Sequence, residues 1–356
     1  MKTAKLLTAA ICFIGLSIMT TVYAGPVTKP TIAIVATGGT IAGTNTSKTE
    51  ASYTAGKLTA QQLVASVPGI NKLANIKSVQ ACNIPSQDLN DTDLLKIART
   101  VNELAQNPKI DGIVITHGTD TMEETAYFLD LVIHTNKPII ITGAMRPATS
   151  MSADGPLNLY NSVAVAANPK SKGKGVLFVM NDTIQAAREC TKTNTTNVDT
   201  FKSLNTGNMW YVYYGQVKFY TTSTRLHTSS SPFNITDIKS LPKVDIVYCY
   251  EGGSADLVKA AIKAGAKGIV YAGVGDGNPY KGDLPILKQA REDGIAIVMD
   301  SRTGSGIVIT DDELKDTKYH FNTSDDLNPQ KARILLRLAL TKTSDYTQIQ
   351  KYFNEC

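Results

Sequence analysis

The sequence predicts a two-domain α/β protein: a larger N-terminal domain with a mainly parallel sheet flanked by helices and ending in a β-hairpin, then a smaller C-terminal α/β domain with its own parallel sheet. Three observations predict it. Short runs that are apolar throughout and rich in β-branched residues alternate with amphipathic stretches, as strands buried on both faces require. One aromatic segment alternates in character around a central glycine. A Ser/Thr/Pro-rich stretch without periodicity separates the two series. In order, TIAIVA at 31–36 reads as the first strand, 60–67 as a helix and 76–84 as strand-like. Residues 91–105 read as a helix capped by Asn90 or Asp91, with Leu94, Leu95, Ile97, Ala98, Val101 and Leu104 on one face. GIVIT at 112–116, PIIITG at 138–143 and GVLFVM at 175–180 are strands, with helices at 122–133 and 157–167 between them. WYVYYGQVKFYT at 210–221 is the hairpin, and 223–243 the linker, in which Phe233 and Ile235 are available to pack. The second unit carries strands at 244–248, 268–272 and 295–299, helices at 255–264 and 284–292, a helix opened by Asn328-Pro329 and running to about Leu340, and a short closing helix. The expected division is therefore 1–24, 25–222, the linker 223–243, and 244–356.

Residues 1–24 are set apart by a different logic. Lys2 and Lys5 precede an apolar run over 6–19, then the small-residue boundary Tyr23-Ala24-Gly25. This pattern predicts a secretory signal cleaved after Ala24, and the run is short of the ~20 residues that span a bilayer. The mature chain is then expected to be soluble, and periplasmic if the source has two membranes. A formal charge of +5 over 356 residues, 42% hydrophobic and 19% charged, excludes wholesale disorder and offers no basis for nucleic-acid or membrane-surface binding. Cys82, Cys190, Cys249 and Cys356 lie beyond the signal with no C-x-x-C pair, which argues against a metal knot, and a chain this long does not depend on disulfides.

In an open parallel sheet, ligands bind beyond the carboxyl ends of the strands. Polar residues gather there: Thr37-Gly38-Gly39-Thr40 after the first strand, Ser86-Gln87-Asp88 after the second, His117-Gly118-Thr119-Asp120-Thr121 after the third, and Asn181-Asp182 and then Lys192 after the fifth. Neither nucleotide-binding glycine motif, G-x-x-x-x-G-K-[ST] or G-x-G-x-x-G, is present. Two readings of the Gly-rich turn remain open: Thr40 as a nucleophile beside backbone N–H donors, or Thr37 and Thr40 as hydroxyls that satisfy the turn. His117 reads best as a residue holding its loop by hydrogen bonds, and no second histidine at ligand spacing suggests a metal. Lys192, by itself, reads equally as a solvated lysine.

The segments Ala36-Thr37-Gly38-Gly39-Thr40-Ile41-Ala42-Gly43 and Gly112-Ile113-Val114-Ile115-Thr116-His117-Gly118-Thr119-Asp120-Thr121-Met122 resemble the two signature motifs of bacterial L-asparaginases, in particular the exported, type II form. Thr142-Gly143-Ala144-Met145-Arg146-Pro147, Met151-Ser152-Ala153-Asp154-Gly155, Val179-Met180-Asn181-Asp182 and Leu327-Asn328-Pro329-Gln330-Lys331-Ala332-Arg333 extend the resemblance over residues 30 to 356. It implies hydrolysis of L-asparagine to L-aspartate and ammonia without a cofactor or metal. It implies Thr40 as the nucleophile that forms an acyl-enzyme, and Thr119, Asp120 and Lys192 as a second group. Gly39 and Thr119 are the implied oxyanion donors, and Tyr53 rides a lid that orients Thr40. Ser86, Gln87 and Asp120 are the implied anchors of the amino acid. Asn278 and Glu313 are the implied contribution of a neighbouring subunit, in a homotetramer with sites at its intimate dimer interfaces. Lys192 serves as a base only when uncharged, so a substrate α-ammonium on Asp120 is expected to release it for that role.

The chain also departs from the family pattern. Ala105 and Thr135-Asn136 stand where close relatives carry a cysteine pair, so that disulfide is not expected. Relatives active on glutamine tend to carry Ser-Glu where this chain has Ser86-Gln87, which favours asparagine over a broader glutaminase-asparaginase. A different class, a periplasmic amino-acid-binding protein, matches the export signal, the two α/β domains and the polar cleft. It has no use for two threonines, a lysine and a carboxylate at strand ends.

Overall fold

The computed structural model describes residues 29–45, 53–208 and 210–356, so the expected signal at 1–24 lies outside the described residues. The first domain is an eight-stranded sheet in the order β10-β9-β6-β5-β4-β3-β1-β2. Its parallel part is β1 (Thr31–Ala36), β2 (Asn75–Gln80), β3 (Gly112–Thr116), β4 (Ile139–Thr142) and β5 (Val176–Met180). β3, β4 and β5 are buried at every residue, as is β1 beyond Thr31, which is why they read as largely apolar runs, with Thr116 and Thr142 buried at the ends of β3 and β4; β2 is the edge and alternates. The antiparallel extension is β6 (Thr183–Ala186), β9 (Trp210–Tyr213) and β10 (Gln216–Phe219). The predicted hairpin therefore does more than finish the domain: β9 pairs with β6 and carries the main sheet outward. A separate ribbon, β7 (Cys190–Lys192) with β8 (Phe201–Ser203), projects beside it.

Helices α1 (Ala60–Ala65), α2 (Ile70–Leu73) and α5 (Gly155–Ala167) cover one face. α3 (Asp91–Gln106) and α4 (Met122–Val132) cover the other. Asn90 is the cap of α3, its side chain accepting from the N–H groups of Thr92 and Asp93. All six residues of the predicted α3 face are buried.

The second domain is a four-stranded parallel sheet, β11-β12-β13-β14, made of Val244–Tyr248, Gly268–Gly273, Ala296–Ser301 and Asn322–Thr323. Its helices are α6 (Asp256–Lys263), α7 (Leu284–Glu292), α8 (Asp316–Tyr319), α9 (Pro329–Ala339) and α10 (Tyr346–Glu355). The two domains do not have wholly separate cores. One hydrophobic cluster joins Phe128 and Leu131 of α4 to Leu335 and Leu338 of α9, Val270 of β12 and Phe353 of α10. Segment 223–243 belongs to the same cluster: Phe233, Ile235 and Ile238 are buried, two short 3-10 turns shape the segment, and Ser231 donates to the carbonyl of Leu131. Its lack of periodicity reflects packing by isolated anchors, each buried large side chain contributing about 1.5–3 kcal/mol.

Candidate active site

Strand order places the site. The chain crosses from β1 to β2 on one side of β1 and returns to β3 on the other, so the crossover direction reverses at the β1/β3 pair. The loops after β2, β1 and β3 border one cavity of about 410 Å3, lined by Gly39, Thr40, Tyr53, Thr54, Ala55, Pro85, Ser86, Gln87, Gly118, Thr119 and Asp120. That size suits a small metabolite. A depression of about 450 Å3 elsewhere, bordered by residues such as Val67, Lys72, Pro156, Leu157 and Tyr160, is mostly apolar and holds no comparable nucleophile.

The loops are held together through glycine. Gly39 adopts φ 80° and ψ −171°, a region open essentially to glycine alone. A Cβ there would lie 2.3 Å from Cα of Gly118, so the first and third loops touch backbone to backbone. Gly43 admits the ring of Tyr53, whose Cδ2 would stand 2.7 Å from a Cβ at that position. With the ring seated there, the Tyr53 hydroxyl shares a 2.6 Å hydrogen bond with Oγ1 of Thr40. The segment bearing Tyr53 is tied down by reciprocal backbone bonds between Thr44 and Thr54, and by Gly56 N–H donating to the carbonyl of Gly39.

The two readings of the Gly-rich turn thus divide between its threonines. Thr37 is the structural one, its hydroxyl donating to the carbonyl of Thr116 at 3.0 Å. Thr40, 8% exposed, spends its hydroxyl on Tyr53 and borders the cavity. Among the described residues, the backbone N–H groups of Gly39 and Thr119 have no hydrogen-bond acceptor. Unpaired donors in a sheltered wall suit an anionic oxygen.

Lys192, at the end of β7, donates to Oγ1 of Thr119 at 3.0 Å and pairs with Oδ1 of Asp120 at 2.6 Å. The Asp120 side chain remains 57% exposed, open to a cationic ligand group. Ser86 is buried; its hydroxyl accepts from the N–H of Asp120 at 3.2 Å, and its carbonyl accepts from the Thr121 hydroxyl at 2.9 Å. Gln87 lies on the same rim. His117 is fully buried and bonded through Nδ1 to the Gly118 carbonyl at 2.7 Å; burial lowers its pKa to about 4, so it is a neutral loop brace. Asn181 and Asp182 do not join the cavity. They form the tight β5–β6 turn at φ 48° and 59°, where Asn181 N–H donates to Asn158 and Asp182 accepts from Asn161.

Asn278 and Glu313 also stand apart from the cavity lining. They are bonded to each other, Nδ2 of Asn278 donating to Oε2 of Glu313 at 2.6 Å, on two loops of the second domain where Asn278 is half-buried and Glu313 exposed. Among the described residues the four cysteines are free, and no group of acidic, histidine or cysteine side chains is arranged to hold a metal ion. Among the same residues, no helix is long and apolar enough to cross a membrane.

Sequence reasoning missed one buried ionic cluster beside the site. Glu123, Thr191, Asn328 and Lys331 meet where β7, α4 and α9 converge. The sequence signal is faint: Glu123 is one of three carboxylates, with Glu124 and Asp130, in a helix whose other residues are mostly apolar.

Residues 31–225 match the family described as "Asparaginase, N-terminal", and residues 243–353 match "Glutaminase/Asparaginase C-terminal domain". The chain is 52% identical over 326 residues to L-asparaginase 2 of Escherichia coli (strain K12), covering 92% of this chain and 93% of that protein. It is 48% identical over 355 residues, the full length of both, to the probable periplasmic L-asparaginase of Haemophilus influenzae. It is 46% identical to the glutaminase-asparaginase of Acinetobacter glutaminasificans, covering 91% and 99%. The crystal structure of a probable cytoplasmic L-asparaginase from Campylobacter jejuni superposes with a TM-score of 0.89 at 47% identity, covering 92% of this chain and all of that one. Two matched domains in order, a shared fold and identity near one half along the whole length make one conclusion: this chain belongs to the asparaginase/glutaminase family.

Proposed function

We propose that the protein is an L-asparagine amidohydrolase acting through a threonine acyl-enzyme. The observation that carries this reading is the meeting of Thr40–Tyr53 and Thr119–Lys192–Asp120 at one cavity. Asp120 takes the substrate's α-ammonium, and Ser86 and Gln87 hold its α-carboxylate end. Oγ1 of Thr40, oriented by Tyr53, attacks the carboxamide carbon, while the developing oxyanion is received by the N–H groups of Gly39 and Thr119. The hydroxyl proton passes to the departing nitrogen, which leaves as ammonia. Water, deprotonated through Thr119 and Lys192, then attacks the ester; aspartate departs and Thr40 regains its proton. One asparagine and one water give one aspartate and one ammonia.

Export through residues 1–24, a periplasmic location and a homotetramer belong to the same proposal. So do the domain division at 223–243 and the delivery of Asn278 and Glu313 to a neighbour's cavity. The exposure of Glu313, and the absence of both residues from the lining of the Thr40 cavity within one chain, support the last point.

Relatives named glutaminase-asparaginase favour a second reading, activity on L-glutamine as well. Gln87 tips the proposal to asparagine, within the roughly 1–3 kcal/mol that one methylene allows. Ammonia release by the mature chain with each amide decides among the readings. Asparagine is expected to be consumed with the larger kcat/KM, and Thr40→Ala to abolish turnover in a folded protein. A chain that retains L-asparagine unchanged is a binding protein and ends the proposal; comparable kcat/KM values assign the broader enzyme.

A further inference from the structure

The cluster behind the cavity ties three elements to one carboxylate. Glu123 stands in the first turn of α4, three residues beyond Asp120, and is 5% exposed. Its Oε1 accepts from the Thr191 hydroxyl at 2.9 Å and from the backbone N–H of Lys192 at 3.3 Å. Its Oε2 accepts from Nδ2 of Asn328 at 2.7 Å. The ammonium of Lys331, fully buried in α9, lies 3.9 Å from the same oxygen and donates to the carbonyls of Arg188 at 2.7 Å and Cys190 at 2.5 Å. Asn328 also caps α9, its Oδ1 accepting from Lys331 N–H at 3.1 Å.

This arrangement has a specific consequence for β7. The ribbon it forms with β8 is three residues long and outside the main sheet, so ladder bonds alone hold it weakly. The backbone of Lys192 is held by Glu123 on one side, and the carbonyl of Cys190, two residues earlier, by Lys331. The carboxylate that fixes this backbone also opens the helix continuing the Thr119–Asp120 loop, the partners of Nζ. One carboxylate therefore sets the distance between the lysine's root and its two targets, and Asn328 and Lys331 anchor it to the C-terminal domain.

We infer that Glu123 is a positioning residue that holds Lys192 in register with Thr119 and Asp120, and that α9 sets this register from the C-terminal domain through Asn328 and Lys331. The inference rests on the proposed role of Lys192 in turnover. Glu123→Gln is close to isosteric; its amide retains one acceptor oxygen but sets an N–H donor against the donors of Asn328 and Lys331, or of Thr191.

The test is steady-state ammonia release by full-length mature protein, with thermal melting of every variant. Glu123→Gln is expected to lower kcat about 10- to 100-fold, the scale of an ångström misplacement of a reacting group, with KM within about threefold of the parent. In a Lys192→Met background Glu123→Gln is expected to add no further loss in kcat, because residues acting as a unit are non-additive. A parental kcat in folded Glu123→Gln overturns the inference, as does a fall in kcat that multiplies with that of Lys192→Met. Lys192→Met with parental turnover overturns the underlying role of Lys192 instead, a separate result. Should Glu123→Gln not fold, Thr191→Val, which deletes one donor to the same carboxylate at nearly constant shape, carries the test under the same criteria. Should Lys192→Met leave no measurable rate, the kcat-against-KM split of the single variants decides.

Discussion

Replacing Gly39 by alanine tests the packing that brings the two threonines together. The substitution introduces two costs that the structure separates. The first is conformational: at φ 80° and ψ −171° a residue with a Cβ is strained by about 1–3 kcal/mol. The second is a collision. The new Cβ would sit 2.3 Å from Cα and 2.4 Å from N of Gly118, against the 3.4 Å at which ordinary contact begins. Both atoms are backbone, so relief requires the loops after β1 and β3 to part by about 1.1 Å. A shift of that size at reacting groups costs on the order of 10²-fold in rate. Gly294→Ala provides the control, since Gly294 has φ 87°, a Cβ there would meet nothing within 4 Å, and the position lies far from the site in sequence. The assay is ammonia release from L-asparagine alongside scanning calorimetry. Gly39→Ala should lose about 10²-fold in kcat and melt several degrees lower, whereas Gly294→Ala should lose some stability and retain kcat. Parental kcat and melting temperature in Gly39→Ala would refute the packing argument; equal losses of kcat in the two variants would show that strain, not loop separation, governs the rate.

Tyr53→Phe keeps the ring against Gly43 and deletes only the hydroxyl bonded to Thr40; kcat for L-asparagine should fall roughly 10- to 100-fold with the melting temperature unchanged, and parental kcat would remove Tyr53 from the mechanism. Burial raises the Asp300 carboxyl to about 8 and Asp130 to about 7, so the folded state binds more protons than the unfolded state from about pH 4 up to those values, and stability falls as pH rises through that window. His117, lowered to about 4, acts oppositely: the stability it contributes is complete above its ordinary value of 6.5 and is lost as pH falls towards 4. Between pH 6.5 and 8 only the carboxyls of these three act, so melting temperature should decline there, and Asp300→Asn, which keeps an acceptor for the Ser301 N–H, should flatten the decline; equal slopes would contradict the assignment. Leu335→Ala, in the cluster shared by α4, α9 and α10, should cost about 2–5 kcal/mol and lower a single calorimetric transition of the whole chain; two resolved transitions would show that the domains melt independently.

Most of this fold was legible because its signals are periodic. A strand buried on both faces favours apolar residues throughout, so β1, β3, β4 and β5 stand out as apolar runs interrupted only by a terminal threonine in three of them. The short strands β6, β7 and β8 escaped detection: three or four residues are too few for a period, and β7 and β8 mix buried with half-buried positions. Lys192 consequently looked like any surface lysine until the ribbon placed its ammonium on Thr119 and Asp120. Segment 223–243 looked like a linker because its contacts come from scattered anchors, Phe233, Ile235 and Ile238, rather than from a repeating face.

The sequence by itself determined which loops border the cavity. Strand periodicity assigns the polar residues after β1, β2 and β3 to one sheet edge, and two motifs in order identify the family. Tertiary structure decided which hydroxyls in those loops face the cavity. Thr37 and Thr40 are the same residue type three positions apart; one is consumed by the carbonyl of Thr116, the other faces Tyr53 and the cavity. Tertiary structure likewise decided that Glu123 is an anchor of β7 rather than one more helix carboxylate. The physical reason is common to both: a periodic pattern reports burial along one element, whereas hydrogen-bond partners depend on angles and distances between elements far apart in the chain, which only the packed fold supplies.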